Sequence, residues 1–164
     1  NDADLFCELC FCLLAANTSA RMALRIMDNV GNVLATGSEE EIRERLHELR
    51  CRFYKTRAHF LFLARNVPVH LDREYLVAHV KGLGYKEASH FLRNAGVSGY
   101  AILDKHVLRS LVEFGVIKSI PRTVTKKKYL QIEKKMRAFS QEVGIGMDEL
   151  DLTLWSRKTG EVLK

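Results

Sequence analysis

Long hydrophobic runs are absent from this sequence. No stretch approaches the roughly 20 apolar residues that a membrane-spanning helix needs, and no charged start followed by an apolar run marks a secretory signal. Both absences favour an intracellular protein that does not enter a membrane. Internal repeats, linkers and low-complexity tracts are missing too, so the 164 residues predict one domain with a hydrophobic core of its own.

Cysteine is scarce and poorly placed for cross-linking. Three of the four cysteines, Cys7, Cys10 and Cys12, crowd one predicted helical segment, and the fourth is Cys51. That spacing is poor geometry for a disulfide framework. The pair Cys7 and Cys10 lacks the second pair of a typical zinc site. The pattern therefore favours reduced thiols buried in a core helix.

Positive charge is in excess. The chain has 26 Lys and Arg against 20 Asp and Glu, a formal charge of +6. This excess favours an anionic partner, but many small basic proteins bind no nucleic acid, so charge alone does not decide. The run Lys126–Lys128 opens a long predicted helix, where it could contact phosphate. Such runs usually face water, and we favour that interpretation.

Apolar residues recur at helical spacing along nearly the whole chain, and no segment gives a clear strand signal. We therefore expect an all-α fold of about eight helices. Besides a helical pattern through Leu5–Leu14, the predicted helices are Ala20–Val30, one from the capping box Ser38–Glu41 to Arg50, about Arg57–Ala64, Asp104 to Gly115, Thr125 to about Val143 and Asp148–Ser156, with a loop over Gly31–Gly37.

The stretch 76–95 carries the strongest pattern. Apolar positions at helical spacing lie on both sides of a turn of a few residues that contains Gly82 and Gly84, which predicts a helix-hairpin-helix. Glycine allows backbone conformations closed to other residues. The amides at the start of the second helix are left exposed at the positive end of its dipole. Such a turn suits a phosphate group.

Two charged residues lie at predicted helix starts. Lys86 falls in the first turn after the hairpin, where acidic residues are usually preferred. Asp104 follows the apolar run Ala101–Leu103 and opens the next helical pattern. Lysine and aspartate would then both lie beside one phosphate-binding turn. The alternative is a surface lysine and a simple helix cap.

The pattern Gly82-x-Gly84-x-Lys86 followed by Asp104-x-His106 resembles the base-excision DNA glycosylases of the helix-hairpin-helix superfamily that are also lyases. The further matches are Phe6–Leu9 running into Ala15–Ala20, the motif Lys86–Asn94, and a tail with Trp155 that ends on Lys164. Together they look like the second, archaeal and bacterial class of 8-oxoguanine DNA glycosylases.

The resemblance spans nearly the whole chain and implies a single glycosylase domain over residues 1–164. The implied fold is all-α, the helix-hairpin-helix DNA glycosylase fold, with helical bundle halves flanking a DNA-binding cleft. Members of the family normally have a further helical stretch in front, so we expect this chain to lack an N-terminal helix.

The resemblance also implies the chemistry. The target base must leave the duplex before its glycosidic bond can be reached. Lys86 would attack the anomeric carbon, displace the base and form a Schiff base that permits strand elimination. Only a neutral amine attacks, and a helix dipole supplies only about 0.3–1 kcal/mol, so desolvation in a closed pocket must favour that form. Asp104 would stabilise positive charge on the sugar and help to move protons.

Further contacts follow from the same resemblance. The amides of Gly82, Gly84 and Lys86 are expected to hold one phosphate and His106 a neighbouring one, although a lone histidine usually has a structural role. A monovalent or similar cation is expected to bridge to DNA from three backbone carbonyls, those of Ala78, Val80 and Leu83. No other cofactor is expected, and no iron-sulfur cluster, because no cysteine follows Cys51.

Two short segments are candidates for probing the duplex. Asn17, with Thr18 beside it, would enter the space left by the extruded base, and the alternative is that Asn17 only caps a helix. Phe53 or Tyr54 would be the wedge pushed into the base stack. The alternative is an aromatic pair that anchors a loop on the core.

Recognition of 8-oxoguanine requires an acceptor opposite the ring nitrogen that becomes a donor on oxidation. In the resembled family the extreme carboxyl terminus lines this pocket. Here Trp155 would stack on the base, although a helical tryptophan is usually core. Lys164 would contribute its terminal carboxylate or its ammonium.

We therefore expect a monomeric enzyme that acts on double-stranded DNA containing 8-oxoguanine. One alternative is a lyase for oxidised pyrimidines that resembles endonuclease III, against which the missing cysteines and the tail from Trp155 to Lys164 argue. The other is a helix-hairpin-helix module that grips DNA without cutting it, which Lys86 and Asp104 together disfavour.

Overall fold

The computed structural model describes residues 2–161, and this part of the chain is all-helical, with no strand. Its ten helices are α1 (Asp2–Ala15), α2 (Ala20–Val30), α3 (Val33–Thr36), α4 (Glu39–Glu48), α5 (Tyr54–Ala64), α6 (Arg73–His79), α7 (Tyr85–Asn94), α8 (Lys105–Glu113), α9 (Lys126–Val143) and α10 (Met147–Thr159). None of these helices is both long and apolar enough to cross a membrane. The all-α prediction is confirmed.

The chain forms two compact units, and the boundary falls inside α7, after Phe91. In the first unit α1 packs against α2 and α5, and α4 packs against α5. The buried side chains of this core include Leu9, Leu14, Ile26, Leu46 and Leu61. Each such side chain contributes about 1.5–3 kcal/mol when it leaves water.

In the second unit α10 packs against α8 and α9. Its buried core includes Val107, Leu111, Met136, Leu150 and Leu154. The long helix α9 is capped by Thr125, whose hydroxyl accepts from the Lys128 amide. Lys126, Lys127 and Lys128 are exposed, so the interpretation of this run as a face toward water agrees with the structure.

Several predicted boundaries were wrong. The stretch expected to be loop, Gly31–Gly37, contains the one-turn helix α3, which forms because Leu34 is buried and the Asn32 carbonyl accepts from two following amides. Helix α5 begins at Tyr54 and not near Arg57, because Phe53 takes a left-handed conformation and ends the preceding turn.

The other differences lie at helix ends. Helix α4 stops at Glu48, two residues early, because Arg50 is left-handed. Helix α10 is longer than predicted, since it begins after Gly146 and continues to a left-handed Gly160.

The cysteines are free thiols. Cys10, Cys12 and Cys51 are buried, as expected, but Cys7 is exposed, so that part of the prediction was wrong. Cys7 lies near the amino end of α1, where neighbouring positions also face water. Among the described residues there is no group of three His, Cys, Asp or Glu side chains that could hold a metal ion.

Candidate active site

The turn of the predicted hairpin lies in the first unit, between α6 and the start of α7. The Asp72 carboxylate caps α6 by accepting from the Tyr75 amide at 2.7 Å, and α6 leads into a turn over residues 80–84. Val80 and Leu83 are buried, and the Leu83 amide donates to the Val80 carbonyl at 3.2 Å. The turn is thus closed by a backbone hydrogen bond and anchored by two apolar side chains.

Glycine is required at position 82 for two reasons. Its φ is +88°, a left-handed conformation that other residues rarely adopt. A Cβ on this residue would also lie 2.2 Å from Cδ2 of Phe60, a ring that α5 places against the turn. The sequence indicated the first reason but not the second, because Phe60 is distant in the chain.

The turn ends at the start of α7. The Gly84 carbonyl accepts from the Ala88 amide at 2.9 Å, which is the first hydrogen bond of the helix. The amides of Tyr85, Lys86 and Glu87 therefore have no acceptor within α7. They lie at the positive end of the helix dipole. This arrangement of donors suits an anion, and the binding of a phosphate here stays a prediction.

Lys86 lies in this first turn and makes an ion pair with its neighbour. Its Nζ is 2.9 Å from Oε1 of Glu87, and the two side chains are only 30% and 15% exposed. Glu87 thus compensates an ammonium that is largely shielded from water. The contact was missed at the sequence level, although an acidic third residue in a helix is a common signal.

Asp104 caps α8 in the second unit. Its Oδ1 accepts from the amides of His106 and Val107, both at 2.8 Å. The helix-cap interpretation is therefore correct as far as it goes. Both bonds use Oδ1, so Oδ2 of the half-buried carboxylate is not needed for the cap. Catalysis by Asp104 stays a prediction. His106 is half-buried in the first turn of α8.

Asn17 occupies the turn between α1 and α2. It is exposed with φ +54°, and the Thr18 amide donates to the Ala15 carbonyl at 3.2 Å. The cap of α2 is Ser19, whose hydroxyl accepts from the Met22 amide. Asn17 is therefore not the N-cap of α2, but its left-handed backbone just after α1 is typical of the end of a helix.

Arg57 fastens this turn to α5. Its guanidinium donates to the Leu14 carbonyl at 2.6 Å and to the Ala16 carbonyl. Arg57 is only 5% exposed, and its own amide donates to the Phe53 carbonyl at 3.0 Å. One buried arginine therefore connects the segment of Asn17 with the start of α5, an arrangement that no sequence pattern indicated.

The aromatic pair lies at the start of α5. Phe53 is 53% exposed, with the Arg52 guanidinium 4.6 Å from its ring centroid. The Tyr54 ring is half-buried and lies 4.8 Å from that of His47. An aromatic pair that anchors the loop on the core was thus a wrong interpretation for Phe53. The wedge function stays a prediction.

The remaining candidates are Trp155, Lys164 and the three carbonyls of the hairpin. Trp155 is half-buried on α10, so it is not a fully buried core residue. Lys164 lies outside the described residues. Ala78, Val80 and Leu83 all lie at the hairpin, where the Val80 carbonyl already accepts from Leu83.

Residues 1–145 match the family model of 8-oxoguanine DNA glycosylase. The 8-oxoguanine DNA glycosylase/AP lyase of Methanocaldococcus jannaschii is 43% identical over 175 residues, with 100% of this chain and 84% of that protein covered. The protein of the same name from Korarchaeum cryptofilum is 44% identical over 176 residues, with the same coverage of 100% and 84%.

Solved structures give the same result. The crystal structure of the M. jannaschii 8-oxoguanine glycosylase/lyase, in complex with a 15mer DNA containing 8-oxoguanine, matches with a TM-score of 0.92 at 43% identity and covers 98% of this chain and 83% of that one. The 8-oxoguanine DNA glycosylase of Thermotoga maritima matches with a TM-score of 0.89 at 41% identity, with 98% and 82% covered.

Proposed function

The chain belongs to the 8-oxoguanine DNA glycosylase family and has its helix-hairpin-helix fold, and on that premise we propose that it excises 8-oxoguanine from double-stranded DNA and cleaves the strand through a Schiff base on Lys86. One observation carries the proposal. The hairpin turn, which requires Gly82, places Lys86 in the first turn of α7 beside helix amides without acceptors in α7.

The first step is binding of the DNA backbone. A phosphate accepts from the amides at the start of α7, where the dipole favours negative charge. The hairpin thereby holds the strand while the damaged nucleotide leaves the stack. Lys81, exposed in the turn, and His106, at the start of α8, supply positive or hydrogen-bonding groups for neighbouring phosphates.

The second step is nucleophilic attack. The ammonium of Lys86 must leave its contact with Glu87 and lose a proton before its nitrogen has a free electron pair. Nζ then bonds to C1′ of the extruded nucleotide, and the glycosidic bond breaks with its electron pair on the departing base. Opening of the sugar ring gives a protonated Schiff base, and loss of a C2′ proton expels the 3′ phosphate.

Asp104 stabilises the positive charge that develops on the sugar during these steps. Its Oδ1 is held by two amides of α8, so the carboxylate has a fixed orientation and needs no rearrangement during the reaction. The second oxygen, Oδ2, is the one that we assign to stabilising the cationic sugar and to accepting a proton in the elimination.

Other contacts complete the proposal. Asn17 and Thr18 fill the gap in the duplex, and Phe53 or Tyr54 wedges the stack; the exposure of Asn17 and Phe53 supports these functions. Trp155 stacks on the base, and Lys164 contributes its terminal carboxylate or its ammonium to base recognition. The enzyme acts as a monomer inside the cell, where its DNA substrate lies.

A cation at the hairpin fits the available donors. Helix α6 ends at His79, so carbonyls of its last turn lack intrahelical partners and lie at the negative end of the dipole. The carbonyls of Ala78, Val80 and Leu83 would hold a monovalent ion, which neutralises phosphate charge when bound. Val80 has a second lone pair besides the one that Leu83 uses.

Borohydride trapping on an 8-oxoguanine duplex tests the proposal. We expect a covalent adduct with the natural chain, none with Lys86→Gln, and an undiminished adduct yield with the matched control Lys135→Gln, which changes an exposed lysine of α9. An adduct formed only with oxidised pyrimidine DNA would assign a different substrate. Binding without any adduct would make the chain a DNA-binding module and not an enzyme.

A further inference from the structure

The segment that leads into Asp104 is buried but not helical. Ala101, Ile102 and Leu103 are at most 8% exposed, and their backbone groups have no helical partners. Side chains of α9 and α10 supply those partners instead. The Ala101 amide donates to Glu133 at 2.9 Å, the Ile102 amide to Asp151 at 3.1 Å and the Leu103 amide to the Tyr129 hydroxyl at 3.3 Å.

Among these partners, Asp151 links the segment to another helix through an ion pair. It is 2% exposed on α10, and its two oxygens bind different elements. Oδ1 accepts from the Ile102 amide, and Oδ2 accepts from Nη1 of Arg93 at 2.8 Å. Arg93 lies in the last turn of α7, within the motif Lys86–Asn94, and had no assigned function.

A continuous series of hydrogen bonds runs from Asp151 to Asp104. The Asp151 carboxylate holds the Ile102 amide, and the Ile102 carbonyl accepts from the Asp104 amide at 2.8 Å. The Asp104 carboxylate in turn holds the first amides of α8. The two peptide groups that flank Ile102 are therefore both held by hydrogen bonds, and their position determines where the backbone of Asp104 lies.

A buried ion pair is a costly way to hold a segment in place. Desolvation of two charges often exceeds their attraction, and apolar residues of similar size are frequently as stabilising. Burial raises the pKa of Asp151, against the opposing effect of Arg93 and the Ile102 amide, and the nearby Asp104 and Asp148 carboxylates add to the rise. Stability alone therefore gives little reason for an acid here.

We propose that Asp151 is a positioning residue for Asp104. Asp151 fixes the catalytic carboxylate through the backbone of Ile102, and Arg93 in turn holds Asp151. This inference rests on the function proposed for Asp104. Asp151 is only 2% exposed and both of its oxygens bind protein groups, so we assign it no direct contact with DNA or the reacting atoms. Its removal should lower the rate of chemistry, because the carboxylate of Asp104 loses its orientation, and leave DNA binding nearly unchanged.

A double-mutant cycle on the full chain tests this inference. Single-turnover release of 8-oxoguanine from a duplex is measured at saturating enzyme for the natural chain, Asp151→Ala, Asp104→Asn and the double variant. We expect Asp151→Ala to lower the rate by about 100-fold, the scale of a misplaced catalytic group. In the Asp104→Asn background the same change should cost nothing more, since the group that it positions is already disabled.

Two further variants guard against a folding defect. Asp151→Asn keeps the shape and the acceptor for Ile102, so it should fold and lose less of the rate than Asp151→Ala, again only when Asp104 is present. Ser140→Ala removes a part-buried hydrogen bond of the second unit, which the Ser140 hydroxyl donates to the Ile145 carbonyl, and should leave the rate unchanged.

The outcomes separate the two proposals. Either of two results overturns the inference. One is a full rate in Asp151→Ala, or in Asp151→Asn if the alanine variant does not fold. The other is a loss of rate from the Asp151 change that is just as large in the Asp104→Asn background. A full rate in Asp104→Asn instead overturns the function proposed for Asp104 itself. A loss of duplex binding as large as the loss of rate would indicate a merely structural residue and also contradict the inference.

Discussion

The ring of Phe60 occupies the space that a side chain on Gly82 would need, with a Cβ at residue 82 only 2.2 Å from its Cδ2. Gly82 also has φ +88°. The hairpin turn therefore depends on a residue of α5, 22 positions earlier in the chain, as well as on its own glycine.

Gly82→Ala should destabilise the protein and weaken DNA binding together. The left-handed backbone costs an alanine about 1–2 kcal/mol, and the clash with Phe60 adds about 1–3 kcal/mol. Urea unfolding and duplex affinity measure the two effects. In the Phe60→Ala background the clash is gone, so Gly82→Ala should cost only the backbone strain. An equal cost in both backgrounds would contradict the importance of the contact.

Phe53→Ala should slow base extrusion without changing stability. Phe53 is 53% exposed, and substitutions at exposed positions usually change stability by no more than about 0.5 kcal/mol. A fluorescent base analogue beside the lesion reports the extrusion rate. Phe114→Ala is the matched control, because Phe114 is 48% exposed and also lies under an arginine, Arg157. Equal effects of the two variants would remove the wedge function from Phe53.

Arg57→Met should destabilise the first unit and loosen the turn of Asn17. The variant keeps the apolar stem but leaves two carbonyls without their donor. The buried bond to Leu14 should cost about 1–3 kcal/mol and the part-buried bond to Ala16 less. Chemical denaturation measures the stability, and the base-analogue assay measures the effect on extrusion. A variant as stable as the natural chain would show that water replaces the guanidinium without loss.

Local signals predicted most of this fold. The capping box of Ser38 and Glu41 is present as expected, and Asp104 and Thr125 cap the helices that they were expected to open. Each of these signals involves residues two or three positions apart, which the sequence displays directly. The one-turn helix α3 was missed because four residues are too few to show helical periodicity.

The supports of the site could not be predicted in the same way. Arg93 and Asp151 are 58 positions apart, and Arg57 and Leu14 are 43 apart. Nothing in the local pattern of either residue identifies its partner, because the contact exists only after the helices pack. The importance of Lys86 and Gly82 was predictable because both lie in the motif. The importance of Phe60 and Asp151 was not, because both lie elsewhere in the chain.

Stability should depend on pH through Asp151. Burial raises the pKa of its carboxyl from 3.8 to about 7, since Arg93 and the Ile102 amide oppose the rise only in part. Between these two values the folded protein retains a proton that the unfolded chain has released, so the folded state is favoured less as pH rises. Relative to Asp151→Asn, the natural chain should lose stability from about pH 4 to about pH 7 and then level off.

Urea unfolding of both proteins across this pH range gives the difference directly, and groups common to both cancel. If the natural chain instead became more stable relative to Asp151→Asn as pH rises, the ion pair with Arg93 would outweigh the cost of burying the carboxylate.

The most direct test of a Schiff base on Lys86 is to locate the covalent bond between enzyme and DNA. The enzyme is trapped with borohydride on an 8-oxoguanine duplex, the adduct is digested with nuclease and protease, and the modified peptide is sequenced by mass spectrometry. We expect one reduced sugar remnant, on Nζ of Lys86. A remnant on Lys81, on Lys105 or on the N-terminal amine, with Lys86 unmodified, would contradict this expectation.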